Sequence, residues 1–238
     1  MIHDSLLVNV MIDKTGEWQE SGQMSAERRW FWRVPCAGLR EWFIDATKHG
    51  DCPAGGGAAR VDAYELGMPS YIGVKRRGHA DSAKKSVVEV KGLVAVIAQP
   101  DDSAGAAPPV EIWCKWRMPD WRGSTAGSVA ITKRRWLRKF DTSRGEVSEI
   151  TLDGAECPVD ARPLPKFGCN VEMTSIVLPN SAEWWTFGVE SFGSASSIVQ
   201  TVGQVAHELA ARGMPTLDST TSMSYPQWLQ GLSDRVAT

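Results

Sequence analysis

Charged residues recur at every second position in four segments with β-strand composition, and most of them are basic. Alternate residues of a strand point to the same side of a sheet, so each segment places two charged side chains on one face. The four pairs comprise seven basic residues and one acid: Lys75 and Arg77, Glu89 and Lys91, Lys115 and Arg117, and Lys133 and Arg135. Several such strands side by side would form a cationic wall. If that wall curls inward, it lines a cavity that attracts polyanions such as phosphate chains.

The alternative for the same pattern is the solvated face of an antiparallel sheet, where polar and apolar residues normally alternate. Two observations favour the cavity. A solvated face usually mixes both signs, and crowding like charges costs energy unless an anion compensates. The opposite face of these strands is apolar and must pack against something, as shown by Val74, Val88, Val90, Ile112 and Cys114.

Composition indicates a globular protein and excludes several classes. With 238 residues, 42% of them hydrophobic, the chain can bury a substantial core. Its formal net charge of −2 argues against a non-specific nucleic-acid binder, because such domains usually carry a basic excess. The five cysteines show no zinc-type spacing, and most of them are predicted to be reduced core thiols. The apolar run 6–12 is too short to cross a bilayer and lacks the features of a signal peptide, so we predict a cytoplasmic protein without membrane association.

The order of elements predicts an α+β protein built on a closed barrel or strongly curved antiparallel sheet of about eight strands, with helices packed outside. Ser194 is the expected N-cap of the clearest helix, which Gly213 and Pro215 end. Helices are predicted at 36–49, 194–212 and 225–236, and strands at 5–12, 25–34, 60–66, 71–77, 86–98, 110–118, 128–140, 146–152, 169–178 and 184–192.

Common catalytic signatures are absent from the sequence, including a phosphate-binding loop, a zinc-protease helix and a nucleophile elbow. The basic run from Lys133 to Lys139, which encloses Trp136, has a second interpretation. Basic residues interleaved with an aromatic ring can follow a single-stranded nucleic acid while the ring stacks on a base. A strand with charges on both faces explains the same residues, and we expect a nucleic-acid partner less than a small phosphate ligand.

Several motifs, read in order, resemble those of the CYTH superfamily, also called triphosphate tunnel metalloenzymes. The family opens with Glu-x-Glu-x-Lys, and residues 25–29 are similar, with Ser25 in place of the first Glu and Arg29 in place of Lys. The later motifs of the family are an Asp-x-Tyr strand, two alternating basic residues, a Lys-Gly pair, a Lys-x-Arg strand and an acidic strand before a C-terminal helix. They are matched in that order by Asp62 and Tyr64, Lys75 and Arg77, Lys91 and Gly92, Lys133 and Arg135, and Gly188 to Glu190.

The resemblance covers residues 25–212 and implies a tunnel domain there. Residues 1–24 would then be an N-terminal extension with one strand, and residues 213–238 a C-terminal tail with a short helix. The chain departs from the family where Arg-x-Glu-x-Glu is expected after the Lys-Gly pair, because residues 113–117 are basic there. The acids that remain on the predicted inner strands are Glu27, Glu89, Glu172 and Glu190.

The resemblance implies a cationic tunnel that binds a triphosphate or nucleotide, with Mg²⁺ or Mn²⁺ held by Glu27 and Glu190. Its phosphate-binding residues would be Lys75, Arg77, Lys91, Lys133 and Arg135, with Arg29, Lys115 and Arg117 as further candidates. Carboxylates hold the metal that orients a triphosphate for attack by water, whereas basic residues hold the phosphates. Because the chain has fewer acids than the family pattern, two functions stay open. One is a metal-dependent phosphohydrolase of weakened activity, and the other is a non-catalytic protein that binds or senses a phosphate ligand.

Overall fold

A computed structural model describes residues 22–34, 36–44, 57–77, 87–98, 107–119 and 127–236. The helices in these ranges are α1 (Leu39–Ile44), α2 (Ile198–Ala211) and α3 (Tyr225–Val236), with a 3₁₀ turn at Ser219–Thr221. The strands are β1 (Gln23–Trp32), β2 (Arg60–Glu65), β3 (Ile72–Arg77), β4 (Val87–Ile97), β5 (Val110–Pro119), β6 (Ser128–Asp141), β7 (Ser148–Ile150), β8 (Gly168–Val177) and β9 (Glu183–Phe192).

Eight of the strands form a closed antiparallel barrel. Their order is β2-β3-β4-β5-β1-β9-β8-β6, and the ring closes because β6 also pairs with β2 over six residue pairs. β7 is an extra strand that pairs with the last residues of β6, so the 14-residue β6 pairs with three strands, β2, β7 and β8. The predicted barrel of about eight strands with helices outside is therefore confirmed. Closure removes the exposed sheet edges and gives every strand an inner and an outer face.

The outer face carries the larger hydrophobic core. The helix after β9, α2, packs there, and its apolar residues Ile198, Val202, Val205 and Leu209 are fully buried. α1 contributes Phe43, whose ring meets Phe187 of β9 edge to face with centroids 6.1 Å apart. These contacts fix α1 and α2 against the barrel wall, so each strand that they cover must direct its polar alternate residues inward.

α3 lies across one end of the barrel. Trp228 stacks on Phe31 of β1 with ring centroids 5.0 Å apart, and Tyr225 stacks on Tyr64 of β2 at 5.8 Å. A capping box starts this helix: the Ser224 N–H donates to Gln227 Oε1 at 2.8 Å, and the Gln227 N–H donates back to Ser224 Oγ at 3.4 Å. The capped helix therefore presents its aromatic face to the barrel interior and closes that end with apolar side chains.

The boundaries differ from the predictions at a few places. Ser194 is not the N-cap of α2, because the helix begins at Ile198 with Ser197 in the capping position. Ser194 instead heads a turn, since its carbonyl accepts from the Ser197 and Ile198 amides, and its hydroxyl contacts Ser196 and Ser197. Three serines in this segment, Ser194, Ser196 and Ser197, offer similar caps, and the buried apolar residues that begin at Ile198 decide where the helix starts. The strand predicted at 5–12 lies outside the described residues, as do residues 45–49 of the first predicted helix.

None of the helices in the described part of the chain is long and apolar enough to cross a membrane.

Candidate functional site

The barrel encloses a strongly charged cavity. Its empty space is about 700 Å³ when the solvent at its open mouth is included. Eight basic and four acidic side chains line it, so the wall carries an excess of four positive charges when all are ionised. The basic residues are Arg29, Arg60, Lys75, Arg77, Lys91, Lys115, Lys133 and Arg135, and the acids are Glu27, Glu89, Glu172 and Glu190.

The structure brings seven of the eight predicted phosphate-binding residues to this cavity. They come from five different strands, because each strand directs its alternate residues inward: Arg29, Lys75, Arg77, Lys91, Lys115, Lys133 and Arg135. The eighth, Arg117, lies toward the end of β5. Its side chain is 54% exposed, although its guanidinium still reaches an acid of the wall, at 3.2 Å from Glu89 Oε1. Arg117 therefore belongs to the rim.

Glu89 holds three cations near the mouth. It lies between Lys75 and Arg117 in the strand register, and its carboxylate is 2.7 Å from Lys75 Nζ and 3.1 Å from Arg77 Nε. Burial alone would raise the pKa of Glu89, but the attraction of these cations lowers it below its usual value. Burial and the neighbouring Arg77 lower the pKa of Lys75 to about 8, with Glu89 opposing them. One carboxylate thus partly neutralises three basic groups and leaves a local positive excess.

Arg29 reaches across the inner wall by passing over a glycine. It pairs with Gly188 in the β1–β9 register, and Gly188 pairs with Glu172 in the β8–β9 register. The Arg29 guanidinium therefore lies on the bare backbone of β9 and contacts Glu172 Oε1 at 2.7 Å. A Cβ at position 188 would stand 2.6 Å from Arg29 Cζ. Burial alone would lower the pKa of Arg29, but Glu172 and Glu27 raise it above its usual value.

The two predicted metal ligands face each other across neighbouring strands, but the carboxylate of each one forms an ion pair with a lysine. Glu27 and Glu190 are partners in the β1–β9 register. Lys91 Nζ lies 2.5 Å from Glu27 Oε1, and Lys115 Nζ lies 2.9 Å from Glu190 Oε1. Among the described residues, no group of three or more His, Cys, Asp or Glu side chains has the arrangement of a metal site. The carboxylates as arranged do not fit a Mg²⁺ or Mn²⁺ cage, because a divalent cation would have to displace both ammonium groups.

Lys133 differs from the other cavity lysines because its partner is a phenol. Its Nζ lies 2.5 Å from the Tyr64 hydroxyl and 3.7 Å from the centroid of the Tyr225 ring. No carboxylate of the described residues lies within ion-pair distance of it, whereas Lys75, Lys91 and Lys115 each contact a glutamate. Burial, followed by repulsion from Lys75, lowers the pKa of Lys133 well below its usual value. An anion in the cavity would supply the missing counter-charge.

The structure adds residues that the strand pattern did not indicate. Glu156 comes from a loop after β7, and both of its oxygens contact Arg135, with 3.1 Å between Oε1 and Nε. Tyr225 comes from α3 and lines the closed end. Neither residue belongs to a strand with alternating charges. For Tyr225 the sequence does contain a signal, the capping box at Ser224, which predicts that a helix begins at Tyr225.

The basic run at 133–139 is divided between the two faces of β6. Lys133 and Arg135 line the cavity, whereas Trp136 is buried on the outer face and stacks on Trp185. Arg138 is also buried on the outer side, where it pairs with Glu149. The run therefore does not form one continuous surface along which a nucleic acid could lie.

No family model matches the chain, and a search of curated proteins gives no significant match.

Proposed function

We propose that the barrel cavity binds a polyanionic phosphate compound, a triphosphate or nucleotide, as a binding or sensing site. The observation that carries the proposal is the charge of the cavity wall, where eight basic residues face four acids in a confined space. Confined like charges repel one another, and an anion with several negative charges removes that cost while accepting several charge-assisted hydrogen bonds.

The resemblance to the CYTH superfamily supports the same ligand class. The motifs that carry it, around Lys75, Lys91 and Lys133, fall on β3, β4 and β6 of a closed barrel and contribute side chains to one cavity. Arginine suits this role because its fork can bind two phosphate oxygens at once, and lysine because its compact charge fits a narrow wall. A chain of linked phosphates could contact several strands together.

Calorimetry with inorganic triphosphate tests the proposal. Arg77→Ala and Arg135→Ala should each weaken binding by about 1.5–3 kcal/mol, the usual scale of a hydrogen bond to a charged group, or roughly 10- to 150-fold. Arg162→Ala is the matched control, because it removes the same charge from an exposed side chain outside the cavity, where Arg162 pairs with Asp160. Equal affinity in the native protein and both cavity variants would refute the assignment.

Metal-dependent hydrolysis of the triphosphate is the second candidate, favoured by the facing carboxylates of Glu27 and Glu190. Because both are engaged by lysines, we expect slow or absent turnover. A phosphate-release assay with and without Mg²⁺ or Mn²⁺ measures this. Rapid, metal-dependent release that is lost in Glu27→Gln and Glu190→Gln would establish the enzyme instead of the binding protein.

A further inference from the structure

The loop between β7 and β8 delivers a carboxylate to one of the proposed phosphate-binding arginines. Glu156 contacts Arg135 with both of its oxygens, the arrangement that a phosphate would also adopt on a guanidinium. Arg135 additionally lies 3.4 Å from Glu172, an acid of the cavity wall. Burial alone would lower the pKa of Arg135, but Glu172 and Glu156 raise it. Glu156 is thus an intramolecular anion on a cation of the cavity.

The loop is built to hold this carboxylate in place. Residues 151–159, here called the Glu156 loop, are closed by two backbone hydrogen bonds, from Asp153 N to Cys157 O and from Val159 N to Thr151 O. The Asp153 side chain accepts from the Ala155 and Cys157 amides at 2.9 Å each. Glu156 itself adopts a φ of 63°, a left-handed conformation that is uncommon and unfavourable for a residue other than glycine.

The Glu156 loop lines a second space next to the main cavity. This space is about 530 Å³ when open solvent is included, and Arg60, Lys133 and Arg135 also line it. The same three cations also line the main cavity. A ligand that reaches Arg135 from this side therefore meets the Glu156 carboxylate at the position where its own oxygens would bind.

The Glu156–Arg135 pair is exposed enough to be displaced. The two side chains keep 34% and 24% of their exposure, and ion pairs in contact with water contribute little stability. The chain also contains a contrasting pair, Arg138 and Glu149, whose arginine is only 2% exposed beneath the outer core. Removing one partner of such a buried pair leaves an uncompensated charge, whereas the Glu156 carboxylate can turn into solvent when a stronger anion arrives.

On the premise that the cavity binds a phosphate compound, we propose that Glu156 is an internal competitor that occupies Arg135 until a triphosphate displaces it. Binding then exchanges the bidentate contact of Arg135 with Glu156 for one with the phosphate. The affinity for triphosphate is therefore lower than it would be if Arg135 had no contact with Glu156. Removing the contact should therefore tighten binding. A partly exposed pair of this kind corresponds to roughly a 2- to 5-fold change in affinity.

Calorimetry with inorganic triphosphate on four proteins tests the competition: native, Glu156→Gln, Glu156→Asp and Asp160→Asn. Glu156→Gln removes the charge, whereas Glu156→Asp keeps it but shortens the side chain by one methylene, so that the carboxylate no longer reaches Arg135. Asp160→Asn is the matched control, because it removes one charge from a neighbouring exposed residue that pairs only with Arg162 among the described residues. We expect both Glu156 variants to bind roughly 2- to 5-fold more tightly and the control to bind as the native protein does.

The outcomes separate the inference from its premise. Tighter binding by Glu156→Gln alone, with Glu156→Asp unchanged, would show a general field effect and overturn the competition. Native-like or weaker binding in both Glu156 variants would overturn it as well. Triphosphate binding by none of the four proteins, with native melting temperatures in all of them, would refute the proposed function and the inference with it.

Discussion

The replacement of Gly188 by alanine tests the inner wall at its most crowded point. The new Cβ would lie 2.6 Å from Arg29 Cζ and 2.7 Å from Nη1, whereas carbon atoms in contact prefer about 3.5–4.0 Å. The guanidinium would therefore have to retreat by about 1 Å, and its 2.7 Å contact with Glu172 would lengthen to as much as about 3.7 Å, beyond hydrogen-bonding distance. Arg29 is only 5% exposed, so little space is left into which its guanidinium can turn.

Two known costs bound the loss of unfolding free energy in Gly188→Ala. Complete loss of one partner of a buried ion pair costs about 3–5 kcal/mol, and overpacking a filled core costs about 1–3 kcal/mol. Because Gly188→Ala displaces Arg29 without removing it, part of the attraction to Glu172 remains. We expect the free energy of unfolding to fall by about 1–3 kcal/mol.

Urea unfolding measures this loss, provided that the slope of the free energy against urea stays unchanged. Gly203→Ala is the matched control, because a Cβ at this position of α2 would meet no heavy atom within 4 Å. That substitution should stabilise the protein by about 0.5–1 kcal/mol through the helix preference of alanine. If Gly188→Ala unfolded at the same urea midpoint as the native protein, the crossing of Arg29 over β9 would be contradicted.

Four further predictions concern the closed end of the barrel and Lys75. Trp228→Ala should lower the free energy of unfolding by about 3–5 kcal/mol, because the 3%-exposed indole packs in the core at the barrel end; an unchanged urea midpoint would contradict that position. Ser224→Ala should cost about 1 kcal/mol through loss of the capping box of α3, measured in the same way. Lys75, with a pKa of about 8, should make triphosphate affinity fall as the pH rises through that value, since only the ammonium form attracts the ligand; calorimetry should show a weaker fall in Lys75→Met. Without ligand, the folded state binds fewer protons at Lys75 than the unfolded state does between about pH 8 and 10.5, so native stability relative to Lys75→Met should rise across that window in urea unfolding.

The strands of the barrel and their inner faces could be predicted from the sequence because the pattern that identifies them is local. Charged and apolar residues alternate within single strands, as in 128–140, and this period of two identifies both the strand and its inner face. The inward set at Lys75, Lys91 and Lys133 follows from the same period, since one residue of slip would expose the apolar face. The structure places all three in the cavity.

The missing parts of the site depend on contacts between distant segments. Arg135 and Glu156 are 21 positions apart and meet through a loop that has no repeating pattern. The sequence shows a glycine at position 188, but the space that it leaves is visible only when Arg29 crosses β9. The first residue of α2 escaped prediction for a related reason, because neighbouring serines offer similar caps and the buried face beginning at Ile198 selects among them.

A crystal structure of the protein with inorganic triphosphate tests the cationic cavity most directly. We expect phosphate oxygens within hydrogen-bonding distance of Lys133 and Arg135 inside the barrel, with the Glu156 carboxylate moved away from Arg135. A triphosphate bound only on the outer surface of the barrel, with the ion pairs of the cavity wall unchanged, would contradict the account.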